Sequence, residues 1–302
     1  MVDTPLASIL INNYNYAQFL SVAIDSALAQ TYPNIEVIVV DDGSTDNSRE
    51  IIAGYGERVV AILKENGGQA SAFNAGFAAS KGDIICFLDA DDAFLPEKAS
   101  EVVRLFNQYP ESNWVFHSLR QVDKVANKTI DYTIRVADGE QDMRARMLQG
   151  RPPFPAPATS ALCFRRSLLA KILPMPEAKS ITMSDLYLKE LAIGLSKGYA
   201  SHQVLAIQNI HQSNAYTGKK DNLRYKAIIA IQYAYWVRIK FPVFTERANR
   251  MFAIGLQYFW RIGGPELEYR SFIAKYWKNT CLWTRFKIWC LIPYYRIRLR
   301  SA

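Results

Sequence analysis

Two short apolar runs lead straight into clusters of carboxylates, and this constrains the fold more than any other feature of the chain. Residues 35–40 run into Asp41-Asp42-Gly43-Ser44-Thr45-Asp46, and residues 84–88 run into Asp89-Ala90-Asp91-Asp92. Four to six β-branched and apolar residues in a row suit strands buried on both faces. Stretches 6–11, 59–63, 114–117 and 161–164 have the same character. Helical patterning fills 18–29, 48–55, 69–80, 96–107 and 185–196. Asn47 with Glu50 three residues on reads as a capping box, and Pro96 suits the first turn of its helix. Strand–helix alternation of this kind predicts a mostly parallel sheet covered by helices. Residues 121–160 read less regularly, with Pro152, Pro153, Pro155 and Pro157 breaking any pattern.

Open α/β sheets bind ligands at the carboxyl ends of their strands, where both acidic clusters fall. Gathered carboxylates repel unless a cation or hydrogen-bond donors lie between them. A hard divalent ion such as Mg²⁺ or Mn²⁺ takes oxygen ligands and shares its shell with substrate phosphates. The same residue types also build strand-to-helix turns, so a purely structural role stays open.

Half of the 302 residues are apolar and 21% are charged, which excludes a disordered chain. Four cysteines without a CxxC pair and three histidines argue against a Cys/His zinc site and fit a reducing compartment. The first residues lack the basic start of a signal peptide, and no window of about 18 residues is apolar and uncharged, so no spanning helix is expected. Charge is divided unevenly. Residues 1–213 carry 19 Lys and Arg against 24 Asp and Glu, whereas residues 214–302 carry 17 against 4. Three helices are expected there, at 221–240, 245–261 and 267–278, followed by a tail at 280–300. In that tail Trp283, Phe286, Trp289, Tyr294 and Tyr295 alternate with Arg285, Lys287, Arg296, Arg298 and Arg300. Such a mixture suits an anionic membrane surface through 270–300, or a helical cap on the first region. No nucleic-acid motif is present, and no nucleic-acid partner is expected.

The stretches ILINNYNYAQFLSVAIDSALAQTYPNIEVIVVDDGSTDNS and ENGGQASAFNAGFAASKGDIICFLDADDAFLPEK resemble family 2 glycosyltransferases, inverting enzymes with the GT-A fold. The likeness is strong over about 5–115 and continues through TSALCFRRSLLAKILPMPE, SDLYL and IHQSNAY. It implies an α/β GT-A catalytic domain over 1–213, Rossmann-like, with a mixed, mostly parallel sheet flanked by helices. Its nucleotide-sugar half would be about 1–118 and its acceptor half about 119–213. Residues 214–302 form a basic, aromatic helical C-terminal region. The implied reaction is metal-dependent transfer of a sugar from a nucleotide-diphosphate sugar, with UDP expected, to a hydroxyl of a glycan or lipid-linked acceptor. The implied location is cytoplasmic, peripheral on the inner face of the cell membrane.

The resemblance also assigns roles. Asp42 meets the nucleotide base, Tyr14 stacks on it and Asn12 makes a polar contact. The family more often has Pro-Thr or Thr-Ser where this chain has Asn12-Asn13. Gln69, opening a helix after Gly67-Gly68, joins the nucleotide-sugar contacts. Asp89 lies near the ribose and Asp91 holds the metal, with Asp92 able to share either role. Phe73 stands where many relatives carry Arg. Asp185, in Ser184-Asp185-Leu186-Tyr187-Leu188, is the general base, or else it caps its helix. Asp138, Asp142 and Glu177 are rivals for that role. His211 is a metal or phosphate ligand, or an ordinary hydrogen-bonded histidine, and His117 and His202 are structural. A nucleotidyltransferase would want a Gly-rich basic loop after the first strand, and a dehydrogenase would want GxGxxG. Ile11-Asn12-Asn13-Tyr14 is neither. A non-catalytic nucleotide-sugar binder at a membrane is the reading of a different class.

Overall fold

The structure is a computed structural model and describes residues 4–123, 126–177, 183–211 and 223–298. The first half alternates as β1 (Ala7–Asn13), α1 (Ala17–Leu28), β2 (Ile35–Asp42), α2 (Ser48–Gly54), β3 (Val60–Lys64), α3 (Gln69–Ala79), β4 (Ile84–Asp89), β5 (Ala93–Phe94) and α4 (Lys98–Gln108). Then come β6 (Trp114–Asp123), β7 (Lys128–Tyr132), β8 (Gly139–Gln141), α5 (Arg144–Leu148), β9 (Leu162–Arg165), α6 (Arg166–Ile172), α7 (Ser184–Leu195) and β10 (Gly198–Ile210). Four helices follow: α8 (Leu223–Lys240), α9 (Thr245–Arg261), α10 (Leu267–Lys278) and α11 (Leu282–Arg298).

All ten strands join one sheet in the order β3-β2-β1-β4-β9-β6-β10-β5, with β7 on β6 and β8 on β10. Strands β3, β2, β1 and β4 are parallel, as are β6 and β10, and β9 is inserted antiparallel between β4 and β6. Side-chain alternation sorts the core into two layers. Ile9 and Ile11 of β1 and Ile84, Cys86 and Leu88 of β4 pack with Leu20 and Ile24 of α1 and Val102 and Phe106 of α4. Leu10, Ile85 and Phe87 point the other way, toward Phe73 of α3. That second layer continues through Leu188 and Leu191 of α7, Ile231 and Tyr233 of α8 and Phe252 of α9 to Ile288 and Ile292 of α11. Phe73 is buried in this core, 4.7 Å from the Phe87 ring centre, and serves packing.

Several local expectations are corrected. Asn47 precedes α2 but makes no side-chain cap bond; Asp46 Oδ1 accepts the Ser48 N–H at 3.0 Å instead. Pro96 lies outside α4, its carbonyl accepting from Thr31 at 2.9 Å. The sequence also hides β10, a strand well inside the sheet. Its register against β6 shifts between Ser201 and Val204 and again before Ala206, which breaks the two-residue period a strand normally displays.

The C-terminal helices are tied to α7 by more than apolar contact. Arg247 of α9 donates from Nε and Nη2 to Glu190 of α7 at 2.8 and 2.5 Å, and both side chains are buried. Removing one partner of a buried pair strands the other charge and costs about 3–5 kcal/mol. Arg247→Met is therefore expected to lower the unfolding free energy by roughly that amount in denaturant titrations. The double change Arg247→Met, Glu190→Leu should recover most of the loss. Equal destabilisation by both would remove the ion pair as the cause.

Candidate active site

Parallel register brings the acidic clusters together. Asn12 pairs with Asp89 across β1 and β4, and Asn13 pairs with Asp41 across β1 and β2, so the carboxyl ends of three strands finish level. Asn12 Nδ2 donates to Asp89 Oδ1 at 2.9 Å and Asn13 Nδ2 to Asp41 Oδ2 at 2.9 Å. Burial alone would raise the Asp41 carboxyl, but hydrogen bonds from Ser44, Arg49 and Asn13 outweigh it and hold it below the usual range. Asp42 faces the β3–α3 turn. It accepts from Lys64 Nζ at 2.6 Å and from the Gly67 and Gly68 N–H groups at 2.9 and 2.7 Å. Gly68 has φ of 86°, a conformation that suits glycine, as it turns the chain into α3. Gln69 at the start of α3 directs Nε2 toward Asp89 Oδ1 at 3.4 Å. Tyr14 stands in the β1–α1 turn with 46% of its surface exposed.

Asp89, Asp91 and Asp92 bring three carboxylate oxygens within 4.8 Å of one another. Burial, then the charges of Asp91 and Asp185, push the Asp89 carboxyl up to about 7, against weaker opposing hydrogen bonds from Asn12 and Thr159. Burial and the charges of Asp91 and Asp89 likewise raise Asp92 well above its usual value. The cluster is held from behind. Ser160 Oγ donates to Asp92 Oδ2 at 2.5 Å and accepts the Asp89 N–H at 3.1 Å. Asn209 of β10 donates its N–H to Asp92 Oδ1 at 3.0 Å and its Nδ2 to the Asp91 carbonyl at 2.7 Å. His211 follows, with Nε2 at 3.2 Å from Asp91 Oδ2 and its ring stacked 4.4 Å from Phe19. Beneath them Lys98 is wholly buried, its Nζ donating to the Ser160 carbonyl at 2.6 Å over the Phe94 ring. Burial lowers its affinity for a proton, partly offset by Cys163, Cys86 and Asp92.

A raised carboxyl in a folded protein has a definite thermodynamic sign. From pH 3.8 to about 7 the folded state keeps a proton on Asp89 that the unfolded chain has released, so this residue's contribution to stability falls as pH rises. Metal-free protein should therefore lose melting temperature relative to Asp89→Asn between pH 5 and 7. A constant gap between the two across that range would exclude the raised carboxyl.

Asp185 is the second residue of α7 and not its N-cap, which is Met183. Its Oδ2 accepts from Lys189 Nζ at 2.7 Å, one turn along, and Lys189 also donates to the Pro157 carbonyl at 3.1 Å. The charge of Asp185 reaches Asp89 and contributes to raising that carboxyl. Beside Asp185 a cavity of about 290 Å³ is walled by Pro152, Phe154, Pro155, Leu186, Lys189 and Ile193.

The rival carboxylates are engaged elsewhere. Asp138 accepts from the His202 N–H and Tyr199 hydroxyl, Asp142 pairs with Arg144, and Glu177 accepts from Ser71 and Asn74. His117 is buried with Nδ1 at 2.8 Å from the Ser118 carbonyl, and His202 Nε2 is 2.8 Å from the Val136 carbonyl. Ser160, Asn209, Lys64 and Lys189 are contributors the sequence did not single out. Lys98 carried a signal: it occupies the apolar stripe of α4 with Val102 and Leu105. Residues 212–216 of the IHQSNAY segment lie outside the described residues.

Residues 8–173 match the family model described as Glycosyl transferase family 2, over half of the chain. The chain is 39% identical over 212 residues to an "Uncharacterized glycosyltransferase" of Nostoc sp., a match covering 68% of this chain and 65% of that relative's length. Among solved structures, S. aureus TarS 1-349 in complex with UDP-GlcNAc superposes with a TM-score of 0.61 at 15% identity, covering 88% of this chain and 78% of that one. The mannosyltransferase PcManGT from Pyrobaculum calidifontis, in complex with GDP-Man and Mn²⁺, gives 0.54 at 17% identity over 97% and 85% of the two chains. Structural likeness at such low identity carries the fold, and the sequence match carries the family: the chain belongs to glycosyl transferase family 2, a family of inverting GT-A glycosyltransferases.

Proposed function

We propose that this protein transfers a sugar from a nucleotide-diphosphate sugar, a UDP-sugar in the first instance, to a hydroxyl of a glycan or lipid-linked acceptor with inversion at the sugar carbon. The observation that carries the reading is the Asp89–Asp91–Asp92 cluster at the end of β4, within electrostatic reach of Asp185 on α7. Residues 1–213 would be the catalytic domain. Asp42, Asn12, Tyr14, Gln69 and Asp89 would bind the nucleotide sugar. Complexes of TarS with UDP-GlcNAc and of PcManGT with GDP-Man and Mn²⁺ support a donor of this class.

The donor set fits a hard divalent cation. Buried, mutually repelling oxygen ligands are what Mg²⁺ or Mn²⁺ accepts. Asp91 would hold it, with Asp92 and His211 beside it. When bound, the ion would neutralise charge on the departing diphosphate. Asp185 takes the proton of the acceptor hydroxyl as that oxygen attacks the anomeric carbon from the face opposite the diphosphate. The new glycosidic bond forms as the bond to the diphosphate breaks, and no covalent sugar–enzyme species is needed. Lys189 fixes the Asp185 carboxylate from one turn away.

The test is nucleoside diphosphate release from a panel of UDP-, GDP-, ADP- and CDP-sugars with Mn²⁺, with donor binding measured in parallel. One donor should bind and turn over in the presence of acceptor hydroxyls. Failure of every donor to bind would overturn the reading. Binding without turnover across a broad acceptor panel would favour the non-catalytic binder.

A further inference from the structure

We infer that the outer face of α11, with Trp260 at the end of α9, is a docking surface for an anionic lipid bilayer. This gives the basic C-terminal region a defined face and a defined occupant. Vesicle binding does not depend on the donor reading, so either can fail alone.

Helix α11 is apolar on two sides. Ile288, Ile292 and Tyr295 are buried in the core, as the inner face of any surface helix would be. The opposite side carries Leu282, Trp283, Phe286 and Trp289 at 80, 64, 58 and 51% exposure. Large apolar side chains grouped on a solvent-facing side of a helix mark an interaction surface, so the outer stripe calls for a partner. The rings are organised: Trp283 stacks on Phe286 at 5.7 Å, and Trp289 lies 5.8 Å from Trp260 and 6.3 Å from Trp277.

Charge identifies the occupant. No Asp or Glu follows Glu268, against eight Lys or Arg. Arg261 at the end of α9, Lys275 and Lys278 of α10, and Lys287 and Arg296 of α11 are exposed, and Lys287 lies 5.7 Å from the Trp283 ring centre. A second copy of the chain on this face would set cations against cations with no carboxylate to pair them. A nucleic acid would use the rings and cations but would leave Leu282, at 80% exposure, without a partner. Lipid satisfies all three features. Aromatic rings rest at headgroup depth, aliphatic tips reach the acyl boundary and cations meet anionic headgroups. No helix among the described residues is long and apolar enough to cross a membrane, so the contact is an interfacial one.

The experiment is flotation of the full chain with vesicles of pure phosphatidylcholine and of equal phosphatidylcholine and phosphatidylglycerol. The bound fraction is expected to be about tenfold higher on the anionic vesicles at low salt, and to fall when salt shortens the Debye length to a few ångström. Leu282→Ser, Trp283→Ser, Phe286→Ser should abolish binding while the thermal melt and donor turnover stay unchanged. Lys278→Glu, Lys287→Glu, Arg296→Glu, which leaves the rings in place, should remove the preference for anionic lipid. The proposal is overturned by equal binding to both vesicles, by a ring variant that folds and still binds, by dimerisation that the ring variant dissolves, or by capture of a single-stranded oligonucleotide without vesicle binding.

Discussion

Asp185→Asn is expected to lower turnover by about 10²–10⁴-fold, the usual contribution of a positioned general base, while leaving the donor dissociation constant within about twofold. The substitution keeps the shape of the side chain and the Lys189 contact, since the amide oxygen can still accept from Nζ. What it removes is the ability to take a proton. The charge argument adds a second signature: Asp185 contributes to the raised Asp89 carboxyl, so neutralising it should lower that carboxyl. A variant that binds donor equally and turns over poorly would identify a base. Loss of donor binding in step with turnover would instead make Asp185 a donor contact. Full activity would send the search back to Glu177, Asp138 and Asp142.

The acidic clusters were legible because their chemistry is local in sequence. Asp41, Asp42, Asp89, Asp91 and Asp92 each follow an apolar run directly, so recognising the strand also locates the carboxylate at its end. The supporting residues are not local. Ser160 reaches Asp92 across 68 positions and Asn209 across 117, and both depend on how β9 and β10 enter the sheet. Nothing in the alternation of 198–210 announces such a strand, because the shifts near Val204 interrupt its period. Lys98 was visible as a charge in an apolar stripe, but its meaning needs the Ser160 carbonyl beneath the cluster. Lys64 and Lys189 look like surface residues until the Asp42 and Asp185 carboxylates are seen to receive them. At the other end of the chain, composition marked α11 as unusual. Which rings are inside and which outside is set by its packing on α9 and could not be read from a sequence with apolar residues on two sides.

Asp91→Asn is the change expected to abolish activity most completely, and it should do so while making the metal-free protein more stable. Asp91 supplies the charge that, after burial, does most to raise both Asp89 and Asp92, so it is a source of repulsion in the metal-free folded state. Neutralising it removes that repulsion without emptying space, and the bond from Asn209 to the Asp91 backbone carbonyl is untouched. A gain on the order of 1 kcal/mol follows, the energy of about one pKa unit. It would appear as a higher melting temperature without metal that Mn²⁺ no longer increases. The parent should behave in the opposite way, less stable alone and stabilised by Mn²⁺ in proportion to occupancy. Turnover of Asp91→Asn should fall below about 1% of the parent, since a neutral amide is a poor ligand for a hard cation. An Asp91→Asn protein that is less stable than the parent would make the carboxylate a structural partner of His211. One that keeps its Mn²⁺ response would move the ion to Asp89 and Asp92. Lost activity together with gained stability would separate the two roles, because a residue retained for packing cannot stabilise the fold by being neutralised.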